Sequence, residues 1–349
     1  MGVAIELVRE GEVVNVIRFA EYLRPVPTPF WTTLRQVGVE RVVSGLDHSS
    51  TLRGQRAIDL PWEEGALRLL VKRYEDLGLH VVGIEDSPPL DRARLGLTGR
   101  DEEIEQFCVL VRSMGAVGIP MLCYNWMAVI PWFRTSTTLR GRGGALVTGF
   151  DNAALTDMPP TWAGRVTEEQ LWGAFAYFIQ RVAPVAEQAG VRLALHPDDP
   201  PLSPLRGIAR IMTNVEAFQR VVDMIDTPAN AITLCQGNFT LMTDDLPGVI
   251  RHFGRQGRIA FGHFRDVRGT PAHFVETFHD DGQTDMFACM KAWHEIDFDG
   301  VMRPDHVPTL EGDLNDNPAY SNLARLHAIG YMAGLREAAV AEMEHDRND

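Results

Sequence analysis

The sequence is poor in cysteine, with four in 349 residues: Cys108, Cys123, Cys235 and Cys289. None forms a Cys-x-x-Cys pair, which excludes a disulfide framework and a paired-cysteine zinc knuckle. No run of about 18 apolar residues occurs, so no helical membrane span is expected. The opening stretch MGVAIELVREGEV carries acidic residues early and lacks a long apolar core. No secretory leader is therefore expected, and a reducing cytoplasm is the expected compartment. Positive charge is short as well: 33 Lys+Arg against 47 Asp+Glu leave a formal net charge of −14. That balance argues against nucleic acid as a partner, because a phosphate backbone needs a basic footprint. It argues equally against a polybasic membrane anchor. No Gly-x-Gly-x-x-Gly turn, fixed-period repeat or low-complexity tract is present.

What is there is ordinary globular material, 45% hydrophobic and 23% charged. Short apolar runs alternate with amphipathic stretches. The runs are Val14–Ala20 (the weakest), Val39–Leu46, Leu79–Glu85, Val117–Asn125, Val191–His196, Ala231–Gly237, Ile259–Arg265 and Gly300–His306. Short and continuous, they read as strands buried on both faces of a parallel sheet. Helical spacing covers Glu63–Leu77, Asp101–Met114, Thr167–Ala189, Val215–Ile225, Met286–Ile296 and Tyr320–Met343. Thr167-Glu168-Glu169-Gln170 is a capping box, and Asn214 and Asp285 precede two of the other helices. About eight strand–helix units without a dinucleotide turn favour an α/β fold of the closed (β/α)8 TIM-barrel type, spanning residues 1–349 as one domain. One connection is too long for a simple turn: residues 126–165, rich in Arg, Gly, Thr and Pro, follow the CYNW strand. It is expected to be a loop or lid insertion on the catalytic face, carrying Arg134 and Arg142 toward an anion.

Four expected strands end in metal-capable side chains: His196 (LALHPDD), Cys235 (TLCQG), His263 (FGHFRD) and Asp305 (MRPDH). Each alone is weak, but in a parallel barrel all strand carboxyl ends open onto one face, so such residues converge there. Two imidazoles, a thiolate and a carboxylate make a plausible divalent-metal site. The thiolate pulls toward Zn²⁺, Co²⁺ or Fe²⁺, whereas Mn²⁺ or Mg²⁺ would prefer oxygen donors, so the ligand set leaves the metal open. Around these positions lie Asn125, Asp198, Arg265, Arg303, His306 and Tyr320, polar residues with no evident core use.

The segments LCYNWMAVIPWFRT, GGALVTGFD, LALHPDDPP, LCQGNF, GHFRDV and MRPDH, in that order, resemble those of the mannonate dehydratase family; GIEDSPP and GLTGRDEEIEQF are similar to its early region. The resemblance runs from about Arg41 to Tyr320. It implies a xylose-isomerase-like barrel, dehydration of D-mannonate to 2-keto-3-deoxy-D-gluconate, and Mn²⁺ as the expected cofactor, with Fe²⁺, Co²⁺ or Zn²⁺ as alternatives. Carried over by motif, the metal ligands fall on His196, Cys235, His263 and Asp305, and the acid–base pair on His306 and Tyr320. Arg303, Arg265, Arg134, Asn125 and Asp198 are the expected contacts to a small sugar-acid substrate, and a homodimer is the expected assembly. The chain departs from the family pattern at Pro131-Trp132-Phe133-Arg134-Thr135, where the family often has Asp-Trp-Thr-Arg-Thr, and at Trp126, where Phe is usual. Three other readings stay open: a sugar isomerase or epimerase of the same fold, a non-catalytic sugar-acid binding protein, and a zinc endonuclease barrel. The net charge disfavours the last.

Overall fold

A computed structural model describes residues 7–9, 12–14, 17–48 and 60–348. Eight parallel strands close into a barrel: β1 (Arg18–Leu23), β2 (Arg41–Ser44), β3 (His80–Glu85), β4 (Met121–Asn125), β5 (Arg192–His196), β6 (Asn230–Cys235), β7 (Ile259–Phe264) and β8 (Val301–Pro304). Neighbours in the barrel are neighbours in sequence, and β8 closes onto β1 through Val301 opposite Arg18. This is the (β/α)8 TIM barrel that the strand–helix alternation predicts. The barrel interior is filled mostly by small residues, Ala20, Ala194, Ala231 and Ala260, with Met121 and Phe261 between them. The larger apolar core lies between the strands and the surrounding helices. Behind β4, Trp126 and Tyr124 meet Phe178 of helix Glu168–Ala189.

Helix boundaries follow local chemistry. Thr167 accepts a hydrogen bond from the Gln170 amide, Asn214 from Ala217 and Asp285 from Ala288, each satisfying an N–H that the first helical turn leaves without a partner. The first strand is a correction. It runs Arg18–Leu23, later than the apolar run Val14–Ala20; residues 15 and 16 lie outside the described residues, and Glu12–Val14 instead pairs with Leu7–Arg9 in a two-stranded ribbon. Two helices absent from the sequence reading, Pro29–Gln36 and Leu246–Arg255, complete the outer ring.

The stretch 126–165, expected as a loop, carries a β-hairpin, Ser136–Arg140 with Leu146–Asp151. A second hairpin after β7, Val267–Thr270 with His273–Glu276, joins it through Phe274 opposite Phe150. The result is a four-stranded antiparallel sheet beside the barrel mouth. Pairing gives the long connection the backbone hydrogen bonds that a bare loop would have to find from water. Among the described residues no helix is long and apolar enough to cross a membrane.

Helix Met286–Glu295 packs on the C-terminal helix Asn322–Asn348, where Lys291 pairs with Glu342 at 2.9 Å. Here His294 is buried and its Nε2 has no partner. Burial, helped by the Arg336 guanidinium, pushes its imidazole down to about 4. The unfolded chain therefore takes up a proton below about pH 6.5 that the folded chain refuses, so this contribution to stability is complete above that pH and is lost as pH falls toward about 4. His294→Gln should lose less stability than the parent protein between pH 7 and pH 4, by on the order of 2 kcal/mol in urea titrations. Equal acid sensitivity in the two proteins would contradict this.

Candidate metal centre and active site

Register places the site. Cys235 at the end of β6 lies opposite His263 of β7, and His263 lies opposite Arg303 of β8. On the adjoining strands, Asn125 of β4 lies opposite His196 of β5. These side chains therefore share one level at the carboxyl ends of the strands. One ligand atom from each of His196, Cys235, His263 and Asp305 lies within 4.8 Å of the others, so the structure brings the four expected ligands together.

The donor set fits a divalent cation. His263 is fully buried, yet neither ring nitrogen has a hydrogen bond; the nearest carboxylates, Asp305 at 3.5 Å and Glu85 at 3.6 Å, lack hydrogen-bonding geometry. Unsatisfied buried polar atoms are costly, and a cation among these four groups would satisfy them. His196 Nδ1 is 2.8 Å from the Pro197 carbonyl oxygen, to which it donates, leaving Nε2 bare as a ligand. Burial lowers the His196 imidazole to about 4, so it is neutral at pH 7. Burial also pushes the Cys235 thiol up to about 12, although Arg265 Nε lies 3.3 Å from Sγ; a bound cation would ionise it. Gly237 in the turn after Cys235 is required by packing, since a Cβ there would lie 2.7 Å from Arg265 Nη1.

Asp305 sits at the centre of a buried charge network. Arg265 Nε and Arg303 Nη1 each approach its carboxylate at 2.9 Å. Burial opposes its ionisation, but the positive charge around it, the Arg303 guanidinium included, holds it well below the usual carboxylate range. Arg303 also grips Glu85 through two hydrogen bonds of 2.9 and 3.1 Å. Arg134 reaches in from the insertion, donates to both Asp199 oxygens at 2.6 and 2.9 Å, and contacts Glu276. Arg265 meets the same two carboxylates at 2.8 and 3.2 Å. Asp199, Glu276 and His306 also converge as metal-capable groups, but the two guanidiniums already supply positive charge there. His306 Nδ1 is 2.8 Å from Glu276 Oε1, and its ring stands edge-on to Trp132 and Tyr320 at centroid distances of 5.3 and 5.5 Å. Tyr320 OH lies 3.5 Å from Asp305 Oδ1; burial and that carboxylate hold the phenol protonated.

A cavity of about 470 Å³ opens over these groups, a size suited to a small metabolite. Among its lining residues are His196, His263, Asp305, His306, Tyr320 and Asn125. Arg134, Arg265 and Arg303 do not line it, because their guanidiniums are engaged by protein carboxylates. Asp198 does not either. It accepts from Arg210 at 3.2 Å and from the Met212 amide at 2.8 Å, so the acid that faces the cavity is its neighbour Asp199. Arg142, the other lid arginine, pairs with Asp280 at 2.8 and 3.0 Å on the surface. Sequence reasoning missed Arg94, Glu85, Asp199, Trp132 and Glu276. Glu85 ends β3 and was open to the same strand-end rule; Arg94 lies in the short helix Asp91–Leu95, which carries no such signal. A larger cleft of about 800 Å³, between Leu155–Glu168 and Ser203–Ala209, shares no lining residue with this cavity and, among the described residues, gathers no ligand cluster.

His263→Gln should cut affinity for a divalent cation by more than the ~10–100-fold typical of losing a residue that only orients a ligand. A chelator should then lower the melting midpoint of the parent protein but not of the variant, since only the parent gains stability by binding metal. Unchanged metal stoichiometry in the variant would contradict the site.

Comparison with known proteins gives a consistent answer. A sequence model of the D-mannonate dehydratase (UxuA) family matches residues 25–162 and 161–346. Mannonate dehydratase 2 of Halalkalibacterium halodurans is 33% identical over 305 residues, covering 79% of this chain and 88% of that one. Mannonate dehydratase of Thermotoga neapolitana is 32% identical over 345 residues, covering 87% and 92%. The crystal structure of mannonate dehydratase from Streptococcus suis superposes with a TM-score of 0.85 at 29% identity, over 94% of this chain and 96% of that one. An L-ribulose 3-epimerase structure, with a TM-score of 0.60 at 17% identity over 94% of this chain and 97% of its own, shares the fold. With the matched segments spanning the barrel and the strand ends that build its metal-capable cluster, the chain belongs to the D-mannonate dehydratase family.

Proposed function

We propose that this protein dehydrates D-mannonate to 2-keto-3-deoxy-D-gluconate and water. The observation that carries the reading is the convergence of His196, Cys235, His263 and Asp305: Cys235 lies fully buried, and the other three line one cavity together with His306 and Tyr320. Those four side chains are the proposed metal ligands. When bound there, a divalent cation, Mn²⁺ in this reading, supplies the charge that favours ionisation next to a carboxylate.

The rest falls to the side chains. The proton to be removed sits on C2, beside the carboxylate, and is weakly acidic. His306, with Nδ1 committed to Glu276, offers Nε2 as the base. Tyr320, held protonated, gives its proton to the departing C3 hydroxyl, which leaves as water. The C2–H electron pair becomes the C2=C3 double bond, and the enol takes a proton at C3 to become the 2-keto acid. Asn125 contacts substrate hydroxyls from the cavity wall. Arg303, Arg265 and Arg134 act by fixing Glu85, Asp305, Asp199 and Glu276, and Asp198 shapes the loop after β5. The acid's carboxylate is better matched to Arg94. Its Nη2 donates to the Asn125 carbonyl and amide oxygens at 3.0 and 3.2 Å, while Nε has no partner. The nearest carboxylate, Asp91, is 3.9 Å away and largely exposed, so Arg94 brings to the cavity wall a charge that the protein matches only weakly. A homodimer in the cytoplasm belongs to the same reading; light scattering tests the assembly.

The test is a screen of aldonic acids against metal-reconstituted protein, reading keto-acid formation. Keto-deoxy acid from D-mannonate supports the reading. Rearranged sugar without loss of water would favour an isomerase, and saturable binding without product would favour a binding protein. His306→Ala and Tyr320→Phe should each lower kcat by about 10²–10⁴-fold with metal retained. Full turnover in either rejects its role. Arg94→Met should raise KM by about 10–100-fold, the worth of one charge-assisted contact, with a smaller effect on kcat. An unchanged KM would move the carboxylate elsewhere.

A further inference from the structure

We propose that Glu276 is the positioning residue for His306: it fixes the ring plane and holds a proton on Nδ1, so that Nε2 is the nitrogen turned to the substrate. The inference rests on the role given to His306 above. Glu276 is not a barrel residue. It ends the strand His273–Glu276 of the accessory sheet, which pairs with the hairpin inside the 126–165 insertion.

The geometry is specific. Glu276 is 4% exposed, and its Oε1 takes every contact: His306 Nδ1 at 2.8 Å, Arg134 Nε at 3.0 Å and Arg265 Nη1 at 3.2 Å. Its other oxygen has no partner. Two guanidiniums beside a buried carboxylate keep it ionised, and an ionised carboxylate only accepts hydrogen bonds. The ring nitrogen facing it must therefore carry a proton, and the opposite nitrogen, Nε2, is turned away from Glu276. Trp132 and Tyr320, both edge-on, limit rotation of the ring, and Glu276 sets where along that rotation it stops. Arg134 joins both halves of the arrangement. It grips Glu276, and its guanidinium carbon lies 4.8 Å from the centroid of the Trp132 ring. The accessory sheet thus has a chemical role, delivering an acceptor that no barrel strand places there.

The first measurement needs no variant. In protein labelled with ¹⁵N-histidine and loaded with a diamagnetic divalent ion, the His306 ring, assigned by its loss in His306→Gln, should show a protonated Nδ1. The opposite tautomer overturns the proposal, because Glu276 could not then be accepting from Nδ1. The second is a graded series. Glu276→Gln keeps an acceptor oxygen and should retain kcat within about tenfold. Glu276→Met removes it and should lower kcat by about 10²–10³-fold, within the range of a lost acid–base group, with KM and metal content near those of the parent. If Glu276→Met is inactive because it is misfolded or metal-free, the tautomer decides. If His306→Ala is inactive while folded Glu276→Met turns over normally, this inference fails and the role of His306 stands. If His306→Ala turns over normally, the underlying reading fails first.

Discussion

The charge on Asp305 is the constraint on which the site depends. This carboxylate is buried at the mouth of the barrel, where an unpaired ion would be expelled or protonated. It stays ionised because Arg265, from the end of neighbouring β7, and Arg303, from β8 itself, hold it at 2.9 Å. Those arginines would themselves be costly if left unmatched, so Glu85, Asp199 and Glu276 accompany them. The interlocked pairs stiffen the cavity floor and leave both ring nitrogens of buried His263 without a hydrogen bond. Negative charge is then available to a cation while the arginines are kept from competing for the substrate.

The same accounting explains why the barrel has additions on one side. A (β/α)8 frame supplies residues only at its strand ends and loops. Here two hairpins, one following β4 and one following β7, pair into a sheet beside the mouth. Through it Arg134 and Glu276 enter a region that the eight strands alone would leave incomplete. Trp132 comes from the same insertion and borders His306. The long connection serves the site mainly by holding groups in place, with Arg134 turned to buried carboxylates and Arg142 paired with Asp280 at the surface.

Much of this was legible in the sequence, for a physical reason. Parallel strands in a closed barrel send every carboxyl end to one face, so histidine, cysteine and aspartate at strand ends had to meet. What each arginine binds was not legible. Arg134 is 65 residues from Asp199 and 142 from Glu276, and local pattern does not distinguish an arginine awaiting a substrate from one already matched. Asp198 and Asp199 show the finest limit, since adjacent residues in an irregular turn face opposite ways. The helix Leu246–Arg255 escaped notice because Leu-Pro-Gly at its start and Gly254 near its end disguise the apolar spacing of Leu246, Val249, Ile250 and Phe253. Glu276 escaped because a four-residue edge strand outside the barrel has almost no periodic signal.

The central claim is that four side chains from β5, β6, β7 and the end of β8 enclose one cation next to the bound acid. Anomalous diffraction at the manganese edge, from crystals grown with Mn²⁺ and D-mannonate, tests it most directly. The account predicts a single strong peak bounded by His196, Cys235, His263 and Asp305, with the acid bound in the adjoining cavity. A peak elsewhere, such as among Glu85, Cys123 and His263, or no peak in protein that forms keto acid, would contradict it.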